Sequence, residues 1–199
     1  ARSRRPTSAG NTALYVGARM ESRNPAGIQA PMGRRDSADQ AEYLQLSLDT
    51  HLDRRTAYTF GVTAAGVRID HYHPSDNEGN ADATFDPVWD AKTAIDDRGW
   101  TAELWIPFSQ LRFNNLDDLA WGLNIRRSTP TLNEQTYWVA VPRTEQGWAS
   151  RFGELRGLDG VRPPRRFELL PYVSASSHVT GSRDRSNPFD DGVNAAGRV

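Results

Sequence analysis

The side chains best suited to chemistry fall into a few groups. His71-Tyr72-His73 puts two imidazoles on one face of an extended segment, an arrangement that suits zinc or nickel. A third ligand would have to come from His51 or from the loop around Asp76, with Asp70 on the opposite face. The alternative is a pair of partly exposed histidines at a strand end, because no third ligand stands at a fixed spacing. Asp76-Asn77-Glu78-Gly79-Asn80-Ala81-Asp82 is dense in hard oxygen ligands. Calcium takes six to eight such oxygens on a flexible loop, so Asp76, Glu78 and Asp82 are the candidate calcium ligands. The spacing is not that of the helix–loop–helix calcium loop, whose glycine comes sixth, and a solvated acidic loop is the competing reading.

Glu103 lies mid-strand between Thr101 and Trp105. A carboxylate there would suit a cross-strand pair with an arginine such as Arg126. A glycosidase acid would need a second carboxylate and a cleft, and no partner is fixed by the sequence. Neither a nucleophile elbow nor a glycine-rich phosphate loop occurs. Sugar recognition needs flat aromatic faces beside planar hydrogen-bonding groups. Trp105, Trp138 and Trp148 are the outward candidates, because Trp89, Trp100 and Trp121 fall on apolar faces. The same outward tryptophans would equally serve a protein contact. Five Arg-Arg pairs, among them Arg34-Arg35, Arg54-Arg55 and Arg126-Arg127, read as local ion pairs with nearby carboxylates.

The elements that must position these groups are strands. Trp100, Ala102, Leu104 and Ile106 alternate with Thr101, Glu103 and Trp105, the period of a strand with one face in a core. Asp96-Asp97-Arg98-Gly99 predicts a hairpin turn with Gly99 at positive φ. Its partner is Trp89–Ile95, with Trp89, Ala91, Thr93 and Ile95 inward. Pro107 should end the ladder, and Ser109 should cap one turn that delivers Leu111 and Phe113 to the core. Further strands are expected at 13–20, 43–49, 56–63, 67–73, 120–127, 136–141 and 150–155. Phe60, Leu46, Trp121 and Leu123 join Trp100, Leu104 and Ile106 as core residues. Many short strands at regular spacing indicate an antiparallel β-sandwich.

The chain has 199 residues, 37% hydrophobic, with formal net charge −1, no Cys and a single Lys, Lys92. That is one domain, or one domain with a tail. The charge balance and the missing recognition helix argue against nucleic acid. The absence of Cys excludes disulfides and thiolate sites. No apolar run is long enough for a transmembrane helix.

Several pieces carry a family resemblance: LYVGARM (14–20), MGRRD (32–36), DRRTAYTFGVTAAGVRID (53–70), FDPVWDAKTAID (85–96), GWTAELWIPFSQLRF (99–113) and SRFGELRGLDGVRPPRRFELLPYV (150–173). In this order they resemble family 9 carbohydrate-binding modules. They are closest to the kind that precedes a predicted outer-membrane β-barrel in bacterial envelope proteins. The resemblance implies a jelly-roll-like all-β fold, structural calcium in related sandwiches, and strands before Leu14 that this chain does not hold, leaving an uncovered edge or face near Leu14–Met20.

The expected organisation is an N-terminal arm (1–11), a β-sandwich (12–160) and an extended C-terminal tail (161–199) resembling the start of a barrel domain. Phe167, Leu169, Leu170, Tyr172 and Phe189 would anchor that tail against a partner. The expected function is a non-catalytic binding module of the cell envelope, periplasmic or outer, with Trp105, Trp138, Trp148, Glu103 and Arg126 contacting a glycan. A module attached to a glycoside hydrolase is a variant of that reading. A structural accessory subunit docked on the periplasmic side of a membrane-associated protein assembly is the alternative.

Overall fold

The computed structural model describes residues 12–38, 40–142 and 145–164, together with the backbone of two strands, Ser176–Gly181 and Val193–Arg198. The chain divides into two compact units, Ala1–Arg165 and Arg166–Val199. The first unit is all β, built from two antiparallel sheets. The strands are β1 (Ala13–Glu21), β2 (Tyr43–Asp49), β3 (Ala57–Thr63), β4 (Arg68–His73), β5 (Asp90–Asp96), β6 (Gly99–Pro107), β7 (Trp121–Thr129), β8 (Glu134–Tyr137) and β9 (Gly153–Leu155).

One sheet has the order β1-β6-β5. The other runs β4-β3-β2-β7-β8, with β9 also paired to β7. β8 and β9 share one edge of β7: Arg126–Thr129 faces β8 and Trp121–Leu123 faces β9. Alternation explains the packing. Trp100, Ala102, Leu104 and Ile106 of β6 meet Leu44, Leu46 and Leu48 of β2 and Tyr58, Phe60 and Val62 of β3 in one continuous core. Edge-on aromatic contacts knit it together, with Phe60–Trp89 ring centroids 5.3 Å apart and Phe113–Trp121 5.2 Å.

Two buried carboxylates tie loops to this core. Glu42 accepts from Trp100 Nε1 at 2.9 Å and from Arg127 Nη2 at 2.6 Å. Asp70 accepts from Trp89 Nε1 at 3.0 Å and from Arg35 Nε at 2.9 Å, and Arg35 also pairs with Asp86. Arg35 and Arg127 are thus structural ties rather than parts of a basic patch.

Some expectations need correction. Ile95 is exposed: β5 is an outer strand, and although Thr93 still donates to Ala64 O across the sandwich, every residue from Ala94 to Asp96 is exposed. Leu123 is only partly buried, because three strands cannot cover all of the larger sheet. The turn after Pro107 forms at Phe108–Gln110 and delivers Leu111 and Phe113 to the core, but Ser109 lies inside it and Pro107 takes the cap position. The strand expected at 136–141 lies earlier, at Glu134–Tyr137. The one expected at 150–155 shortens to Gly153–Leu155 behind a 3-10 turn at Ala149–Arg151.

β1 is an edge strand whose Leu14, Val16 and Ala18 pack on the core. In the second unit, Ser176–Gly181 (β10) pairs antiparallel with Val193–Arg198 (β11), so the tail contains a strand pair that its weak alternation does not announce. The proposed anchors Phe167, Leu169, Leu170, Tyr172 and Phe189 lie outside the described residues, as does the arm 1–11. No helix among the described residues is long and apolar enough to cross a membrane.

Candidate functional site

The residues opposite the core set form a polar surface on the six-stranded sheet. Register aligns His71, Thr59, Ser47 and Asn124 across β4, β3, β2 and β7. A second row places Gln45 beside Arg126 and Arg126 beside Tyr137. The loop from Pro74 to Asp82 closes over one side, held by reciprocal backbone hydrogen bonds between Tyr72 and Asp82 (3.2 and 2.7 Å). The result is a well of about 150 Å³ lined by Gln45, His71, Glu78, Arg126, Tyr137 and Trp148 among others. Glu78 and Trp148 also line an adjoining groove of about 600 Å³.

Arg126 is the best-held charge in this site. Nη1 donates to Glu78 Oε1 at 2.9 Å. The guanidinium carbon lies 5.4 Å from the Tyr43 ring centroid and 5.5 Å from that of Tyr137, within cation–π range of both. Its Nε is buried without a hydrogen-bond partner. Burial first, and the Glu78 charge next, raise the Tyr137 phenol above its ordinary value.

Asn124 is structural. Its Oδ1 accepts from Val139 N (2.9 Å) and its Nδ2 donates to Val139 O (3.0 Å), so the side chain continues the ladder in the gap between β8 and β9. Ser47 and Thr59 satisfy each other at 2.9 Å. Trp148 forms a wall, its ring centroid 4.3 Å from that of His73 and 4.8 Å from that of Phe152.

The sequence candidates separate. Arg126, Trp148 and Glu78 meet at the well. Trp148 is buried rather than an open platform, because Ala57, Ala149 and Phe152 pack with it. Trp138 stays exposed, with its ring over Gly153, where a Cβ would come within 2.9 Å of two ring carbons. Trp105 and Glu103 belong to the other sheet. The suggested Glu103–Arg126 pair is therefore corrected: Glu103 sits in register with Gly17 and Lys92, and Arg126 pairs with Glu78.

The calcium candidates also part company. Asp76 accepts from Trp148 N, Ser150 N and Ser150 Oγ at 2.7, 2.9 and 2.6 Å. Burial alone would raise this carboxyl, but the Ser150 and Trp148 donors outweigh it and hold it below the usual range. Asp82 accepts from Thr84 N and Oγ1. His71 and His73 do share a face, ring centroids 6.4 Å apart. Among the described residues no three His, Asp or Glu gather as a metal would require.

Reading from the sequence missed Tyr43, Gln45, Ser47, Thr59, Asn124 and Tyr137. Their signal was the complement of the core alternation: the same strands that put Leu44, Leu46 and Leu48 inward must turn Tyr43, Gln45 and Ser47 outward.

No protein-family model and no characterised protein matches the chain. Its fold is similar to that of a family 9 carbohydrate-binding module. That module, from Caldicellulosiruptor kristjanssonii in complex with cellotriose, is 15% identical over 82% of this chain and 76% of the other, with a TM-score of 0.46. The structure of such a module from the same organism in complex with glucose gives 16% identity, 73% and 71% coverage, and a TM-score of 0.46.

Proposed function

We propose that the chain is a non-catalytic glycan-binding module acting outside the cytoplasm of a bacterium. The observation that carries this reading is Arg126 in the polar well. A guanidinium held between two tyrosines and one carboxylate presents a fixed donor fork. Neighbouring sugar hydroxyls accept from such a fork, while Gln45 supplies an amide beside it and Trp148 and Tyr137 give aromatic walls. The wider groove gives a glycan chain room to continue.

The carboxylates argue for binding without catalysis. Glu78 is paired with Arg126, Asp76 is held by three donors, and Glu145 is paired with Arg151 at 2.8 Å. Glycoside cleavage needs two carboxyl groups facing the substrate, and each of these three is committed to a partner within the protein. The pieces resembling envelope modules support the extracytoplasmic setting.

Calorimetric titration with a panel of neutral oligosaccharides tests the proposal. At least one should bind, and Arg126→Ala should weaken it roughly tenfold or more, a loss of about 1.4 kcal/mol. Arg126→Lys keeps the charge and loses the fork, so it should weaken binding while leaving the melting curve close to that of the parent. Unchanged affinity in both variants, or no binding across the panel, sinks the reading.

A further inference from the structure

The outward face of the three-stranded sheet carries a second groove, on the other sheet from the polar well. Register lines up Tyr15, Trp105 and Asp90 in one row and Gly17, Glu103 and Lys92 in the next. Tyr15, Asp90, Lys92, Glu103 and Trp105 line a concavity of about 250 Å³. Tyr15 is 74% exposed and Trp105 39%, so two large aromatics stand open to solvent on adjacent strands. An isolated exposed ring needs no explanation, but two in register over a groove do.

Gly17 adds an independent observation. A side chain there would meet nothing within 4 Å, and its backbone is not in the left-handed region. Neither packing nor conformation requires glycine at this place. A glycine in a strand interior weakens the strand, and commonly marks a point where a ligand approaches the backbone closely. The space it leaves lies beside Tyr15 along β1 and directly across from Glu103.

We propose that this groove is a second saccharide site, which seats a neutral hexose unit on Trp105 and Tyr15 over Gly17. The chemistry selects the occupant. The apolar part of the face is two rings wide, and the next row holds a carboxylate and an ammonium. A stable protein interface needs about 800 Å² per partner with charge depleted from its centre, and here Glu103 and Lys92 occupy the centre. A pyranose is apolar on its C–H face and hydroxylated at its rim, which matches rings flanked by Glu103, Lys92 and Asp90. The mixed signs of those three groups favour a neutral sugar over an acidic one. The site shares no residue with the Arg126 well, and either can fail without the other.

Lys92 is the only lysine in the chain, so acetylation by an amine-reactive ester, read by peptide mass spectrometry, reports on this groove alone. The probes are cellopentaose, maltopentaose and laminaripentaose, added to the full 199-residue chain. At least one should slow Lys92 acetylation several-fold. Trp105→Ala and Gly17→Val should each abolish that protection. Gly17→Val fills the gap with a residue that strands favour, so it should fold at least as well as the parent. Arg126→Ala should leave the protection in place, which separates this site from the well. Equal acetylation with all three probes overturns the proposal. So does protection that survives both groove variants, or that vanishes with Arg126→Ala.

Discussion

His73 is a buried imidazole packed 4.3 Å from Trp148, and its Nδ1 has no well-aligned hydrogen-bond partner. Burial, helped by the neighbouring His71 charge, pushes its pKa down to about 4. An unfolded imidazole titrates near 6.5. Between these values the unfolded chain binds a proton that the native state refuses, so stability is full above about pH 6.5 and falls as the pH drops toward 4. The loss is up to about 3 kcal/mol. Asp49 and Asp70, whose carboxyls burial raises, act with the opposite sign at the acid end, so the comparison with a variant isolates the histidine. Urea unfolding at several pH values should show a slope between pH 6.5 and 4 that His73→Gln flattens. An unchanged slope in that variant would assign the effect elsewhere. The acidic loop gives a second expectation at this scale. Asp76 caps the Ala149–Arg151 turn and Glu78 is neutralised by Arg126, so calcium would have to displace bonds already made. Melting curves with millimolar calcium and with chelator should superimpose, and a calcium-dependent rise in Tm would restore the metal site.

At the scale of elements, the β5–β6 hairpin shows what alternation can and cannot reveal. Gly99 was legible as the turn glycine, and its φ is +144°. Its contacts were not legible. A Cβ at Gly99 would lie 2.0 Å from Met20 O and 3.0 Å from Glu21 Cα, because β1 pairs along the full length of β6. Gly99→Ala combines a left-handed backbone with a clash against main chain that has no rotamer to escape into. It should destabilise by about 2–4 kcal/mol, read as a lower urea midpoint with an unchanged slope. A loss under about 0.5 kcal/mol would mean that the β1–β6 register is wrong. The inward faces of β2, β3 and β6 could be read because burial imposes period two on each strand separately. The well could not, because it needs the sheet order. Gln45 and Arg126 are register partners only because β2 lies beside β7, a neighbour relation that no local pattern carries. Trp148 was misjudged for a related reason: Ala57 and His73, which pack against it, come from distant parts of the chain.

At the scale of the whole molecule, the question is which stretch of chain folds by itself. The continuous core runs from Met20 to Val161, and every residue lining the well falls between Gln45 and Trp148. Val161 is buried, and the next residue, Arg162, ties back to Asp117 at 2.6 Å and to Leu116 O at 2.8 Å. The compact unit closes at Arg165, a few residues beyond the expected end of the sandwich at 160. Val161 therefore contributes to the core, and Arg162 fastens the chain beside it. A chain ending at Arg165 should unfold in a single cooperative transition and still bind the oligosaccharide that the parent binds. A chain ending at Asp159 loses the Val161 side chain from the core and the Arg162 ties, and should be less stable than the Arg165 chain by about 1.5–3 kcal/mol. Urea melts of the two shortened chains, followed by tryptophan fluorescence, separate the possibilities. If the chain ending at Arg165 lacks a cooperative transition, the sandwich depends on residues 166–199. If the two shortened chains melt together, Val161 and Arg162 do not support the fold.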